Sequence, residues 1–309
     1  MLKLGKSMLV AAAAVLALSA SSHAYPDSTV TMIVPFSAGG TNDSVARALA
    51  PELGKALGGN VVVKNADGAA GTVGANEIVT AKPDGLTIGF VPLGPVTVQN
   101  HLRDLPYNID SWQPICNIYQ SNLVLVTNKK GPLQSVDDLV KKGKITYGST
   151  GPGTINHLAS AASTAALGLE GRHVPDKGAG PAMLSLANGT IDLFADTPVI
   201  VTRYDVTPIA ALSPERLPEV PDVPTMKELG HDVQFSLWAG VFVSSKVPGE
   251  IVEQLTKACD EAVNSDAFKE SAKKIGINLR PMIGQEFTDF VHREYESMKG
   301  VVNAVGIKK

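Results

Sequence analysis

The chain has 309 residues, 44% hydrophobic and 5% aromatic, and its 27 Lys and Arg stand against 30 Asp and Glu for a formal net charge of −3. That apolar content is enough for more than one core, and an acidic balance without basic runs excludes a nucleic-acid-binding face. Two cysteines without a CxxC, no HExxH and no histidine cluster leave a metal site without support, and no cofactor is expected.

In chain order, Lys3 and Lys6 precede an apolar run from Met8 to Ala20, and "SHA" stands before Tyr25. A basic start, a short apolar middle and a small-x-small end make a secretory signal. The run is too short to span a bilayer, and no Cys near the cleavage point offers a lipid anchor. Residues 1–24 are therefore expected to be removed, leaving an exported chain in the periplasm. Loss of its two lysines takes the net charge from −3 to −5.

Strand patterns follow at 29–34, 60–64, 86–91, 123–127, 144–148, 191–195 and 238–243. Helix patterns lie at 42–57, 71–81, 135–142, 154–167, 179–188, 249–264 and 285–303, with Pro51 inside the first. This alternation predicts an α/β fold with mainly parallel sheets. The Pro-rich stretch 212–225 reads as an irregular connector. Cys116 and Cys259 both sit in apolar patterns, and two buried thiols are favoured over a disulfide although the compartment permits one.

One pattern occurs twice. "VPFSAGGTNDSVARALA" at 34–50 and "TYGSTGPGTINHLASAA" at 146–162 each run from a strand end through a Gly-rich loop and a Thr into an Ala-rich helix. First-turn amides of a helix have no intrahelical partner, the helix dipole adds positive charge there, and glycines let a ligand approach the backbone. Each loop is thus a cradle for a carboxylate that needs no Arg or Lys. Two of them facing one cleft could supply the three to five charge-assisted hydrogen bonds, roughly 1.5–3 kcal/mol each, that micromolar binding at about 8 kcal/mol requires.

Around these loops, Asp43 reads as capping its own helix and pairing with Arg47 at i+4, or as holding a water or ligand donor. Asp196 ends a strand and could face the cleft. Asp176 and Lys177 precede a third small-residue loop. "GPGTIN" at 151–156 lacks the third glycine of a dinucleotide loop, and "GSTG" at 148–151 is not a nucleophile elbow. A hydrolase using Ser149 and His157 is the rival reading from another class.

The stretches "YPDSTVTMIVPFSAGGTNDSVARALAPELGKALG", "VKNADGAAGTVGANEIVTAKPDG", "KITYGSTGPGTINHLA" and "LPEVPDVPTMKELG" resemble the solute receptors of tripartite tricarboxylate transporters, the Bug-type extracytoplasmic binding proteins, over essentially the whole mature chain. The resemblance implies a type II periplasmic binding protein, a two-lobed Venus flytrap hinged on crossing strands. It implies a receptor, not an enzyme, that holds a small carboxylate or amino acid and delivers it, as a monomer, to two membrane permease subunits. A sensory receptor presenting its ligand to a signalling partner is the alternative within that fold. One lobe would comprise 25–121 and 239–309, the other 122–238. First-lobe contacts fall on Phe36, Ser37, Ala38, Gly39, Gly40, Thr41, Asn42 and Asp43. Second-lobe contacts fall on Ser149, Thr154 and His157, with Asp176, Gly178, Ala179 and Asp196 nearby. Asp176 departs from the aromatic residue usual in the family, and the segment after Pro198 is shorter than usual.

Overall fold

The computed structural model describes residues 25–305. The expected signal segment lies outside the described residues. No helix among them is long and apolar enough to cross a membrane.

The first lobe starts with strand β1 (Val30–Val34), whose alternate side chains enter two different cores. Helix α1 (Thr41–Leu57) returns the chain, burying Val45, Ala46, Leu49, Ala50 and Leu53 at helical spacing. Gly58 stops it in the left-handed region at φ 67°. Pro51 lies on the exposed face, where its missing N–H leaves a carbonyl that water can satisfy, and the helix runs on through it. β2 (Val61–Asn65), α2 (Thr72–Thr80), β3 (Thr87–Pro92) and the short α3 (Gln99–Leu102) follow, and β1 pairs parallel with both β2 and β3.

The expectation of mainly parallel sheets needs correction. β4 (Trp112–Asn128) and β9 (Ser236–Ser244) run antiparallel to each other, β9 runs antiparallel to β3, and β10 (Leu279–Ile283) is antiparallel to β4. The order β10-β4-β9-β3-β1-β2 is therefore a mixed sheet. The physical cause is the length of β4. From Trp112 to Asn122 it pairs with β9, and from Leu123 to Asn128 it pairs with β8 (Val206–Leu212) in the second lobe. One strand carries the chain out of one lobe, and β9 brings it back.

The second lobe adds α4 (Val136–Lys142), β5 (Lys144–Ser149), α5 (Ile155–Ala166), β6 (Glu170–Pro175), α6 (Ala179–Ala187), β7 (Phe194–Asp196) and α7 (Val199–Arg203). β5 and β6 are parallel, β7 joins β5 through a bridge at Tyr147 and Leu193, and β7 and β8 pair antiparallel with β4. After β9, helices α8 (Gly249–Asn264), α9 (Asp266–Ile275) and α10 (Gln285–Val305) close the first lobe.

Each lobe has its own core. Met32, Leu49 and Leu53 pack with Phe268 in the first, and Val124, Met183, Leu186 and Phe194 in the second. A third cluster runs between them, from Ile33 and Val91 through Leu125 and Trp238 to Leu158 and Leu193.

Cys116 of β4 and Cys259 of α8 form a disulfide with Cα atoms 6.5 Å apart, which overturns the reading as two free thiols. Both side chains are fully buried in the same first-lobe cluster. The side of β4 that carries Cys116 is the side on which α8 lies, so the apolar surroundings that suggested thiols are also what brings the sulfurs together.

Candidate functional site

Three strand–loop–helix units meet where the lobes touch. At the first, β1 ends and residues 36–40 turn with Gly39 at φ 95°, a conformation that favours glycine. Gly40 is the N-cap of α1 and offers no side-chain cap. At the second, Gly151 (φ 132°) and Gly153 (φ 72°) form the loop before α5, whose N-cap Thr154 accepts the His157 N–H at 3.4 Å and donates to the Gly151 carbonyl at 2.8 Å. At the third, Gly178 is the N-cap of α6. The first two are the repeated pattern of the sequence, and the third follows the same plan.

These helix starts surround one small cavity between the lobes. Of the residues expected at the site, Phe36, Ser37, Gly40, Thr41, Asn42, Asp43, Thr154, Ala179 and Asp196 line it. Ala38, Gly39, Ser149, His157, Asp176 and Gly178 do not. Thr150, Ile155 and Asn156 line it as well, together with Pro92, Gly94 and Leu237. No Lys, Arg or His is among the lining residues.

Asp43 is committed to its own lobe. Its carboxylate accepts the Gly39 N–H at 3.1 Å, Arg47 Nε at 3.0 Å and Asn65 Nδ2 at 3.0 Å. Burial works to raise its pKa, but those hydrogen bonds, Arg47 foremost, outweigh it and hold the carboxyl below its usual range. The pairing with Arg47 read from the i+4 spacing is thus present. Asn42 Oδ1 accepts the Tyr119 hydroxyl at 2.8 Å, which leaves the Asn42 amide hydrogens for a ligand. Ser37 Oγ is buried with no protein partner. Asn156 is fixed at both ends, by Thr150 Oγ1 at 2.8 Å and the Ala195 carbonyl at 2.7 Å. Asp196 is buried at the end of β7, where desolvation pushes its pKa up to about 7 despite the Thr197 N–H at 2.7 Å and hydrogen bonds from the Asn156 and Thr197 side chains.

The lobes are in contact around the cavity. The Tyr204 hydroxyl donates to the Gly39 carbonyl at 2.8 Å, Thr41 Oγ1 meets Thr197 Oγ1 at 2.8 Å, and Gln99 Nε2 donates to the Gly153 carbonyl at 2.9 Å. Arg203 of α7 bonds Ser44 Oγ. The glycines permit this approach. A Cβ on Gly40 would lie 3.3 Å from Ala179 Cβ, one on Gly39 3.3 Å from the Tyr204 hydroxyl, and one on Gly178 would collide with Ser37 Oγ. What their Cβ atoms would meet is the facing lobe.

The Ser149–His157 pair of the hydrolase reading is not formed. Ser149 Oγ instead meets His173 Nε2 at 2.7 Å and is buried. His157 Nδ1 accepts the Gly153 N–H at 3.0 Å. The two imidazoles stack at 3.8 Å, with Tyr147 stacked on His173 at 5.4 Å. Both rings thus hold the loop before α5. Asp176 lines a neighbouring space beside Ala69, Ala70 and Pro152, with Oδ2 buried and unpartnered and no ion pair to Lys177 among the described residues.

Burial first, and the neighbouring His173 second, depress the His157 pKa to about 4. A depressed histidine contributes stability that is present above its unfolded value of 6.5 and lost as pH falls towards 4, here on the order of 3 kcal/mol. Asp196 acts with the opposite sign, because its raised pKa favours the folded state as pH falls below about 7. The two are separated by His157→Asn, which keeps an acceptor near Gly153. Relative to that variant, the parent chain should lose about 2–3 kcal/mol of urea stability between pH 7 and pH 4, and parallel profiles would contradict the assignment.

The sequence pointed to the loops but not to every lining residue. Thr150, Ile155 and Asn156 lie inside the second repeat and were legible there. Pro92 ends β3 and Gly94 follows it, a fourth Pro/Gly-containing strand end, whereas Leu237 carries no local signal.

The model of the tripartite tricarboxylate transporter family receptor (TctC) matches residues 45–307. Among solved structures, the periplasmic binding protein BugD superposes with a TM-score of 0.86 at 28% identity, covering 92% of this chain and 100% of that one. MatC from Rhodopseudomonas palustris with bound malate has a TM-score of 0.82 at 26% identity, covering 90% and 100%. R. palustris Rpa4515 with adipate has a TM-score of 0.84 at 27% identity, covering 92% and 99%. With its two lobes, crossing strands and cavity between helix starts, the chain belongs to the tripartite tricarboxylate transporter receptor family and has the two-lobed periplasmic binding protein fold.

Proposed function

We propose that this protein is a periplasmic receptor that closes on a small organic acid and hands it to the permease subunits of a tripartite tricarboxylate transporter. The observation that carries the reading is a cavity without a single lining cation, ringed by the N-termini of α1, α5 and α6. Such a site holds carboxylates through backbone amides and neutral donors such as Asn42 and Ser37. The malate and adipate bound by its structural neighbours support a C4 to C6 dicarboxylate or hydroxy acid. The lobes would be 25–121 with 239–309, and 122–238. β4 changes partners between Asn122 and Leu123 and β9 begins at Ser236, which supports a hinge where these strands cross.

The test is calorimetry on the mature chain with succinate, malate, adipate, citrate and aspartate, followed by solution scattering with the best-bound compound. Micromolar binding of at least one acid and a smaller radius of gyration at saturation are expected. No binding across the panel, or binding without compaction, would sink the reading. Loss of uptake in a strain lacking the permease subunits distinguishes delivery to a transporter from delivery to a sensor.

A further inference from the structure

The cavity holds two carboxyl groups of opposite character. Asp43 has three donors from its own lobe and stays an anion. Asp196 lines the same cavity, buried, with the Thr197 N–H at 2.7 Å and the Asn156 and Thr197 side chains as donors but no cation beside it. Among the described residues, the titratable groups about Asp196 are the Tyr119 hydroxyl of β4, which interacts with it, and Asp43 of α1, which lines the same cavity. Neither compensates a negative charge on Asp196. A carboxylate ligand entering this space adds another anion beside it, and like charges sharing one site drive one carboxyl to keep its proton.

We propose that Asp196 engages the ligand as a neutral carboxylic acid, donating its O–H to a ligand carboxylate oxygen, so that capture of the anion takes up a proton from solvent. The proposal rests on the receptor reading above and assigns this residue a role in it. The proton comes from buffer, stays on Asp196 while the lobes are closed and returns to solvent on release. No bond other than the hydrogen bond forms. With the lobes in contact, burial already pushes the Asp196 pKa up to about 7, so closure favours the protonated acid before the ligand's charge is added. Charge selection follows. An ammonium at this position pairs with the ionised acid instead, so aspartate should bind with less proton uptake than succinate.

The experiment is titration calorimetry with succinate, malate and aspartate at pH 8 in phosphate and in Tris, whose ionisation heats differ. Uptake of about one proton per dicarboxylate is expected, with affinity falling towards tenfold per pH unit above pH 7. Asp196→Asn keeps a donor of similar shape and should bind succinate with no proton uptake and a pH dependence below about threefold between pH 6 and 9. The wild-type proton count stands without the variant, should that fail to fold. Succinate binding with no proton uptake, uptake unchanged in Asp196→Asn, or as much proton uptake with aspartate as with succinate overturns the role of Asp196 and leaves the receptor reading in place. Absence of binding by any acid overturns both.

Discussion

Gly40→Val is expected to weaken binding of the best-bound dicarboxylate at least about 100-fold, or roughly 2.7 kcal/mol, while the unliganded chain loses about 1 kcal/mol or less. Gly40 has φ −83°, which valine adopts without strain, so the effect does not come from the backbone. It comes from the facing lobe. Even a bare Cβ would sit 3.3 Å from Ala179 Cβ, and the two methyl groups of valine reach further into that contact. The closed arrangement around the cavity is then blocked, whereas an open chain exposes the valine to water and keeps the separate cores of both lobes. Gly39→Ala would be a poorer test, since φ 95° strains any side chain there. Calorimetry beside a thermal melt separates the outcomes. A Gly40→Val chain that binds within threefold of the parent would mean that the lobes do not approach this closely and that Gly40 serves only the turn.

The second large effect concerns the disulfide. Cys116 and Cys259 are 143 residues apart, so the bond closes a long loop in the unfolded chain. The chain-entropy estimate for such a loop is about 5 kcal/mol, and native disulfides typically contribute about 2–4 kcal/mol. The double replacement by alanine should lower stability by about that amount and the Tm by about 10 °C. Both cysteines lie within the first lobe, joining α8 to β4, and neither lines the cavity. Affinity for the dicarboxylate should therefore stay within about twofold well below the melting temperature. Full stability of the wild-type chain after complete reduction would show that the bond contributes nothing.

How much of this was legible follows from where the information lies. The turn from β1 to α1 is local: an alternating apolar run, Pro35, two glycines and an apolar stripe from Val45 to Leu53 specify it within 24 residues. The repeat of that plan before α5 identified the facing loop. The strands that escaped notice are those whose pattern is weak for a reason. β6 is mostly exposed, β8 is interrupted by Pro208, β10 is an edge strand interrupted by Pro281, and the first half of β4 contains Pro114 and shifts register after Pro114 and again after Asn117. The mixed sheet depends on that same long strand, and so does the disulfide, which needs the side of β4 facing α8. Asp176 was readable as a departure from its family but not as a residue outside the cavity, because its place depends on how the two lobes meet.

The absence of any lysine or arginine from the cavity wall also sets how the protein gathers its ligand. Partial charges at helix ends act within about the first turn, and at physiological ionic strength fields are screened over roughly 8 Å. An anion approaching from solution meets first the weak repulsion of a net acidic molecule. The cavity wall itself offers no cation to draw it in, so on the proposed reading discrimination begins only once the anion is inside the cleft. A receptor of this kind would read charge at contact, and inorganic anions would not crowd its inner wall as they would crowd a basic pocket.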